Sequence, residues 1–263
     1  MKRTAIIMAG GSGERFWPLS RRRKPKQLLT LINEEKTLIE DAIERIADLI
    51  PAEDVFIITS EVLVEPMRDS LKNIPPGNIV PEPYKRNTAP CLALGAAYIA
   101  AKYSDLEKDQ ISIAVLTADQ NIHPQSAFTA TVASAMDYCE EHSMLLTIGI
   151  PPERPETGYG YIETENKFGN SDKAEILPVK SFREKPDYET ACKFVESGRF
   201  LWNSGMFFWR MDTFEFEMIS NAPEVGTKID EMTEALAEYV NKPNETLVDA
   251  IGTIFSEMPN ISI

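Results

Sequence analysis

Cysteine and histidine are scarce in this chain, and the few present do not cluster. The three cysteines, Cys91, Cys139 and Cys192, are odd in number, far apart and without a C-x-x-C pair. His123 and His142 add no metal-ligand spacing to them. Neither a zinc site nor a disulfide framework is expected, and a reducing, cytoplasmic setting fits. Long apolar runs are missing too. Ala5–Ala9 is too short for a signal-peptide core, and Pro90–Ala101 falls short of the roughly 20 residues that a membrane span needs, so no membrane association is expected. Positive charge is in deficit, with a net charge of −14. A chain of that sign is a poor general binder of nucleic acid, whose phosphates need a cationic face.

The deficit is uneven. Residues 1–27 carry eight basic side chains against the single acid Glu14, a net +7, which leaves −21 for the remainder. A basic segment on an acidic body suits a small polyanion bound locally. What the chain has in bulk is ordinary. Its 263 residues, 43% of them hydrophobic, suffice to bury a core without staples.

Periodicity organises the first 150 residues. Thr4–Met8 reads as a buried strand entering a glycine-rich turn. Thr37 and Glu40 form a capping box ahead of an amphipathic helix that carries Leu38, Ile39, Ala42, Ile43, Ile46, Leu49 and Ile50 and stops at Pro51. Strands are expected at 55–59, 79–80, 111–117 and 144–150, and helices at 61–72, 88–103 and 125–141. The second half is less regular, with strands at 174–184 and 205–210 and helices at 187–197, 212–220 and 227–241. Alternating strand and helix implies an α/β fold with a Rossmann-like, mostly parallel mixed sheet and helices on both faces. Such sheets bind ligands at the carboxyl ends of their strands. No linker or repeat appears. A single domain over 1–263 is expected, in two halves of about 1–150 and about 151–263, the second forming a substrate-side lobe.

The first strand runs into Ala9-Gly10-Gly11-Ser12-Gly13-Glu14-Arg15, followed by Pro18-Leu19 and Pro25-Lys26-Gln27. The G-K-[ST] ending of a Walker loop is absent, and Phe16 stands where a dinucleotide fingerprint needs its third glycine, which argues against a dehydrogenase. Glycines there let backbone N–H groups approach phosphates, Arg15 can fork onto phosphate oxygens, and Lys26 can add a point charge. This pattern resembles the signature of the sugar-1-phosphate nucleotidyltransferases. Glu82-Pro83-Tyr84-Lys85-Arg86-Asn87-Thr88-Ala89-Pro90 is similar to the segment typical of the mannose-1-phosphate guanylyltransferases among them. Further matches are Thr157-Gly158-Tyr159-Gly160-Tyr161, Phe182-Arg183-Glu184-Lys185-Pro186 and Trp202-Asn203-Ser204-Gly205-Met206-Phe207, all in family order up to about residue 210.

The resemblance implies that GMP passes from GTP to mannose 1-phosphate, giving GDP-mannose and pyrophosphate. It implies nucleotide contacts from Ala9 to Arg15, Lys26, Glu82, Arg86, Asn87, Thr88 and Ala118. Sugar contacts would come from Gly158, Tyr159, Gly160, Glu184, Lys185, Asn203 and Gly205. Asp119, just past a buried strand, would hold Mg²⁺ or Mn²⁺, and the catalytic set would be Arg15, Lys26, Asp119 and Lys185. A homodimer is compatible with all of this. Alternatives left open are the same chemistry on glucose 1-phosphate with UTP or dTTP, and a non-catalytic sugar-nucleotide sensor. Each motif also has a plainer role: Asn87 or Thr88 can cap the next helix, Asn203 can satisfy a turn, and Phe207-Phe208-Trp209 suits a core. Two departures stand out. Thr117 and Gln120 replace the Pro and His usual in close relatives, and the chain ends at Ile263, where the family continues with an Asp of the metal site and, in long members, a β-rich isomerase domain. The C-terminal part of the family domain is thus expected to be absent, and a chain of this extent to bind nucleotide but turn over poorly.

Overall fold

The strongest periodicities are those the fold uses. In the computed structural model, which describes residues 1–10, 18–20, 25–31, 35–168, 175–239 and 244–263, strand β1 covers Lys2–Met8 and β4 covers Ile111–Thr117. They pair in parallel, with Ala5 opposite Ala114 and Ile7 opposite Leu116. On its other side β1 pairs with β2 (Val55–Ser60), and β2 with β3 (Ile79–Glu82), also in parallel. The middle residues of these strands are buried on both faces, so they read as unbroken Ile/Val/Leu/Ala runs.

The chain divides into two compact units: Met1–Leu145 together with Phe208–Ile263, and Leu146–Phe207. The first contains β1–β4 and helices α1 (Leu38–Glu44), α2 (Glu61–Ser70), α3 (Thr88–Lys102) and α4 (Gln125–Glu141). Helix α3 packs unusually close. A Cβ built at Gly95 would lie 2.6 Å from Ile6 Cδ1 and 3.1 Å from its Cγ1 on β1, so a larger residue would force that buried side chain to shift. The small-residue composition of α3 is thus a packing requirement.

Thr37 and Glu40 form the expected capping box: Glu40 N donates to Thr37 Oγ1 (3.4 Å) and Thr37 N to Glu40 Oε2 (2.8 Å). The helix beyond it is shorter than its apolar stripe. It stops at Glu44, and the chain continues through tight turns such as Ala47 N to Glu44 O (3.2 Å) and Leu49 N to Ile46 O (2.9 Å). Those turns still bury Ile46 and Ile50, so the apolar spacing survives while the helical hydrogen bonding does not.

The second unit is antiparallel. Strand β6 (Tyr161–Thr164) pairs with β7 (Val179–Arg183) and with β8 (Phe200–Arg210), and β5 (Leu146–Ile150) pairs with β8. Its core joins Tyr161, Ala191, Phe200 and Trp202, with Phe194 of α5 (Tyr188–Ser197) packed against them. Strand β7 is shorter than the expected 174–184, and β5 starts at Leu146 rather than at Met144. After β8 the chain rejoins the first unit as α6 (Met211–Asn221), α7 (Pro223–Tyr239) and α8 (Asn244–Ser256). Helix α7 packs on α3, and α8 on α7. Helix α8 lies beyond residue 241, where no element is expected from the sequence pattern. Phe208 and Trp209 are buried, as a core role for that aromatic run requires. Among the described residues no helix is long and apolar enough to cross a membrane.

Candidate active site

The carboxyl end of β1 is braced before the loop begins. Ala9 is buried, its N–H donates to Ile58 O (2.8 Å), and its carbonyl accepts from Gln27 Nε2 (3.2 Å) and Thr59 Oγ1 (3.1 Å). Gln27 is itself 2% exposed, in a 3₁₀ turn spanning Lys26–Leu28. The glutamine of Pro-Lys-Gln thereby ties the far end of the basic segment back to the start of the glycine loop. Its amide oxygen, Oε1, is buried without a hydrogen-bond partner among the described residues. Gly11, Ser12, Gly13, Glu14 and Arg15, expected to hold phosphates, lie outside the described residues.

Lys26, anchored beside Gln27, directs its ammonium to the Asp119 carboxylate in a part-buried ion pair. Two residues that the sequence assigned separately to phosphate and metal therefore meet each other. Asp119 follows buried Ala118, just beyond the end of β4. Among the described residues no three His, Cys, Asp or Glu side chains group as a ready metal cage.

Glu82 ends β3 and lies against Gly10. A Cβ at Gly10 would come within 3.5 Å of Glu82 Oε2. Burial pushes the Glu82 carboxyl above its ordinary range, opposed by a hydrogen bond from the Arg86 backbone N–H and by Lys85. Asn87 has φ of 21°, in the region that favours glycine, and its Oδ1 accepts from Thr88 N (2.9 Å) to cap α3. The plainer capping role is therefore real. The same segment is gripped by the C-terminal tail. Arg86 Nη2 donates to Ser256 O (2.8 Å), Ala89 N to Ile261 O (3.2 Å), and Ile263 N to Thr88 Oγ1 (2.9 Å). Arg86, expected at the nucleotide, thus spends a donor on the end of α8.

In the second unit Gly160, Glu184, Asn203 and Gly205 come together. A Cβ at Gly160 would stand 2.9 Å from Glu184 Oε2 and 3.7 Å from Asn203 Cβ. Asn203 N donates to Gly160 O (2.8 Å), and Gly205 N to Asn203 Oδ1 (3.0 Å). Lys185, exposed and with φ of 39°, places Nζ 2.8 Å from Glu184 Oε1. Gly158 N donates to Glu156 Oε1 (3.0 Å), a contact that helps hold the Glu156 carboxyl below its ordinary range. Tyr159 sets its ring edge-on to Trp202, with centroids 5.4 Å apart. Strained non-glycine backbone at Asn87 and Lys185, both expected site residues, is the pattern of functional positions held by their surroundings. Sequence reasoning did not assign roles to Gln27 and Glu156. Gln27 lay inside a recognised motif; Glu156 carried no spacing signal of its own.

The family model described as Nucleotidyl transferase matches residues 4–251. The chain belongs to the nucleotidyl transferase family. It is 40% identical over 225 residues to mannose-1-phosphate guanylyltransferase RfbM of Salmonella typhimurium, covering 84% of this chain and 44% of that one. It is 40% identical over 224 residues to a mannose-1-phosphate guanylyltransferase of Escherichia coli, covering 84% and 45%. The chain thus spans less than half the length of these relatives. A crystal structure described as mannose-1-phosphate geranyltransferase from Thermus thermophilus superposes with a TM-score of 0.81 at 30% identity, covering 100% of this chain and 70% of that one. A glucose-1-phosphate thymidylyltransferase structure from Bacillus anthracis, at 14% identity and TM-score 0.57, shares the fold alone.

Proposed function

We propose that this chain carries out guanylyl transfer: mannose 1-phosphate and GTP give GDP-mannose and pyrophosphate. The observation that carries this reading is the meeting of Lys26 and Asp119 beyond the parallel strands, in a family whose relatives carry that activity in their names. An oxygen of the sugar phosphate attacks the α-phosphorus in line. The bond from that phosphorus to the bridging oxygen breaks, and pyrophosphate leaves with the electron pair. No covalent enzyme intermediate is needed, so catalysis rests on positioning and on charge neutralisation.

The Lys26–Asp119 pair suits this task. A triphosphate draws the Lys26 ammonium onto its oxygens and frees the Asp119 carboxylate. Asp119 is a hard oxygen donor that already faces a cation, which fits Mg²⁺ or Mn²⁺ with the remaining ligands from water and phosphate. Such an ion would supply charge neutralisation on the phosphates. Arg15 would share that load. Glu82, an acceptor beside Gly10, suits the N–H donors of guanine's pairing edge. In the second unit Lys185 would hold the sugar phosphate, and Glu184 and Asn203 the sugar hydroxyls. The buried free thiols Cys91 and Cys139 are in keeping with a reducing, cytoplasmic setting.

The test is pyrophosphate release across GTP, ATP, UTP and dTTP with mannose 1-phosphate and glucose 1-phosphate. GTP with mannose 1-phosphate is expected to dominate. Release with UTP or dTTP and glucose 1-phosphate instead would overturn the specificity. Nucleotide binding without release on any pair would favour a sensor.

A further inference from the structure

Arg45 is a buried cation that the mechanism above does not use. It follows α1, is 8% exposed, and among the described residues forms no ion pair with a carboxylate. Its Nε also has no partner there. Burial lowers its proton affinity, offset only in part by Asp41 one helical turn earlier. An under-compensated guanidinium in a protein interior costs free energy, so its local contribution to stability does not account for it.

Its contacts show what it holds. Arg45 Nη1 donates to Gln120 O at 2.8 Å, the carbonyl of the residue after Asp119. The guanidinium lies over the Phe128 ring, 5.9 Å from its centroid, in the first turn of α4. The Arg45 carbonyl accepts from Thr129 Oγ1 at 3.1 Å. One residue therefore holds Gln120 within the segment 118–124, which links β4 to α4 and carries Asp119, and the start of α4 just beyond it. We propose that Arg45 is a positioning residue that fixes this segment and so sets where the Asp119 carboxylate meets Lys26 and the phosphates. Lysine would keep the charge but lose the flat guanidinium that lies over Phe128 while Nη1 reaches the Gln120 carbonyl.

This inference rests on the role proposed above for Asp119, and the experiment separates the two. GTP affinity in the presence of Mg²⁺ is measured by calorimetry for Arg45→Met, Arg45→Lys, Asp119→Asn and the double variants, beside hydrogen exchange of amides 119–123. Arg45→Met is expected to weaken GTP binding about 10-fold, the lower end for lost support of a ligand-holding group, and to lose protection in 119–123 selectively. Arg45→Lys should recover only part of either effect. In the Asp119→Asn background, Arg45→Met should change affinity no further. Wild-type affinity and exchange in Arg45→Met with only a lower melting temperature would overturn the proposal, as would full rescue by lysine. Where the methionine variant does not fold, the lysine variant decides by the same two readouts. If Asp119→Asn alone leaves GTP binding and turnover intact, the role of Asp119 itself fails, and this proposal with it.

Discussion

Lys26 and Asp119 form an ion pair across 93 positions of sequence, in side chains only 21% and 31% exposed. The lysine is placed by the turn that buries Gln27, and the aspartate by the end of β4. A pair of this partly open kind adds little to stability, about 0–1 kcal/mol. Asp119→Asn should therefore shift the denaturation midpoint only slightly. Lys26→Ala should lower kcat/KM by the equivalent of about 2.7–4 kcal/mol, as for a lost donor to developing charge. Parallel urea melts and steady-state kinetics check both. A large loss of stability with intact turnover would make the pair structural.

Gly160 offers a test of the sugar side. An added methyl group would press on Glu184 Oε2 and approach Asn203. Gly160→Ala should raise the KM for mannose 1-phosphate several-fold, on the order of 1 kcal/mol of lost contact, while GTP affinity stays unchanged. Separate titrations of the two substrates read this directly.

Glu82 gives a pH dependence with a definite sign. Its carboxyl is raised above its ordinary value in the folded state, so folding favours the protonated form. The stability that Glu82 contributes is complete below the unfolded pKa and is lost as pH rises through the folded pKa. Glu82→Gln keeps an acceptor for the Arg86 N–H but cannot ionise. Its stability advantage should be present at neutral pH and vanish in acid, which melts from pH 4 to 8 will show. The same variant should lose preference for GTP over ATP.

Asn87 combines strain with a cap. Asn87→Ala removes the hydrogen bond to Thr88 N and keeps the unfavourable φ of 21°, so a loss of about 1–2 kcal/mol is expected. Asn87→Gly also removes the cap but relieves the backbone, and should cost less. Chemical denaturation of the two variants side by side measures the difference.

Much of this molecule is legible in its sequence because the information is local. Ile111–Thr117 appears as a strand to the residue, since a doubly buried parallel strand leaves an unbroken apolar run. Thr37 and Glu40 announce a helix start because a capping box spans only four positions. The glycine loop, Glu82–Pro90, Glu184-Lys185 and Asn203 likewise stand out by residue type at short spacing, and together they resemble one family. Tertiary structure decided what depends on distant partners. The stripe after Thr37 could not show where the helix ends, because tight turns bury Ile46 and Ile50 equally well. Gln27 reads as a motif letter until the Ala9 carbonyl is seen to need it. Nothing near Arg45 in sequence points to Gln120 or Phe128. Lys26 and Asp119, two unrelated charges on the page, become one pair only because β1 and β4 are neighbours whose chains leave the sheet at the same end.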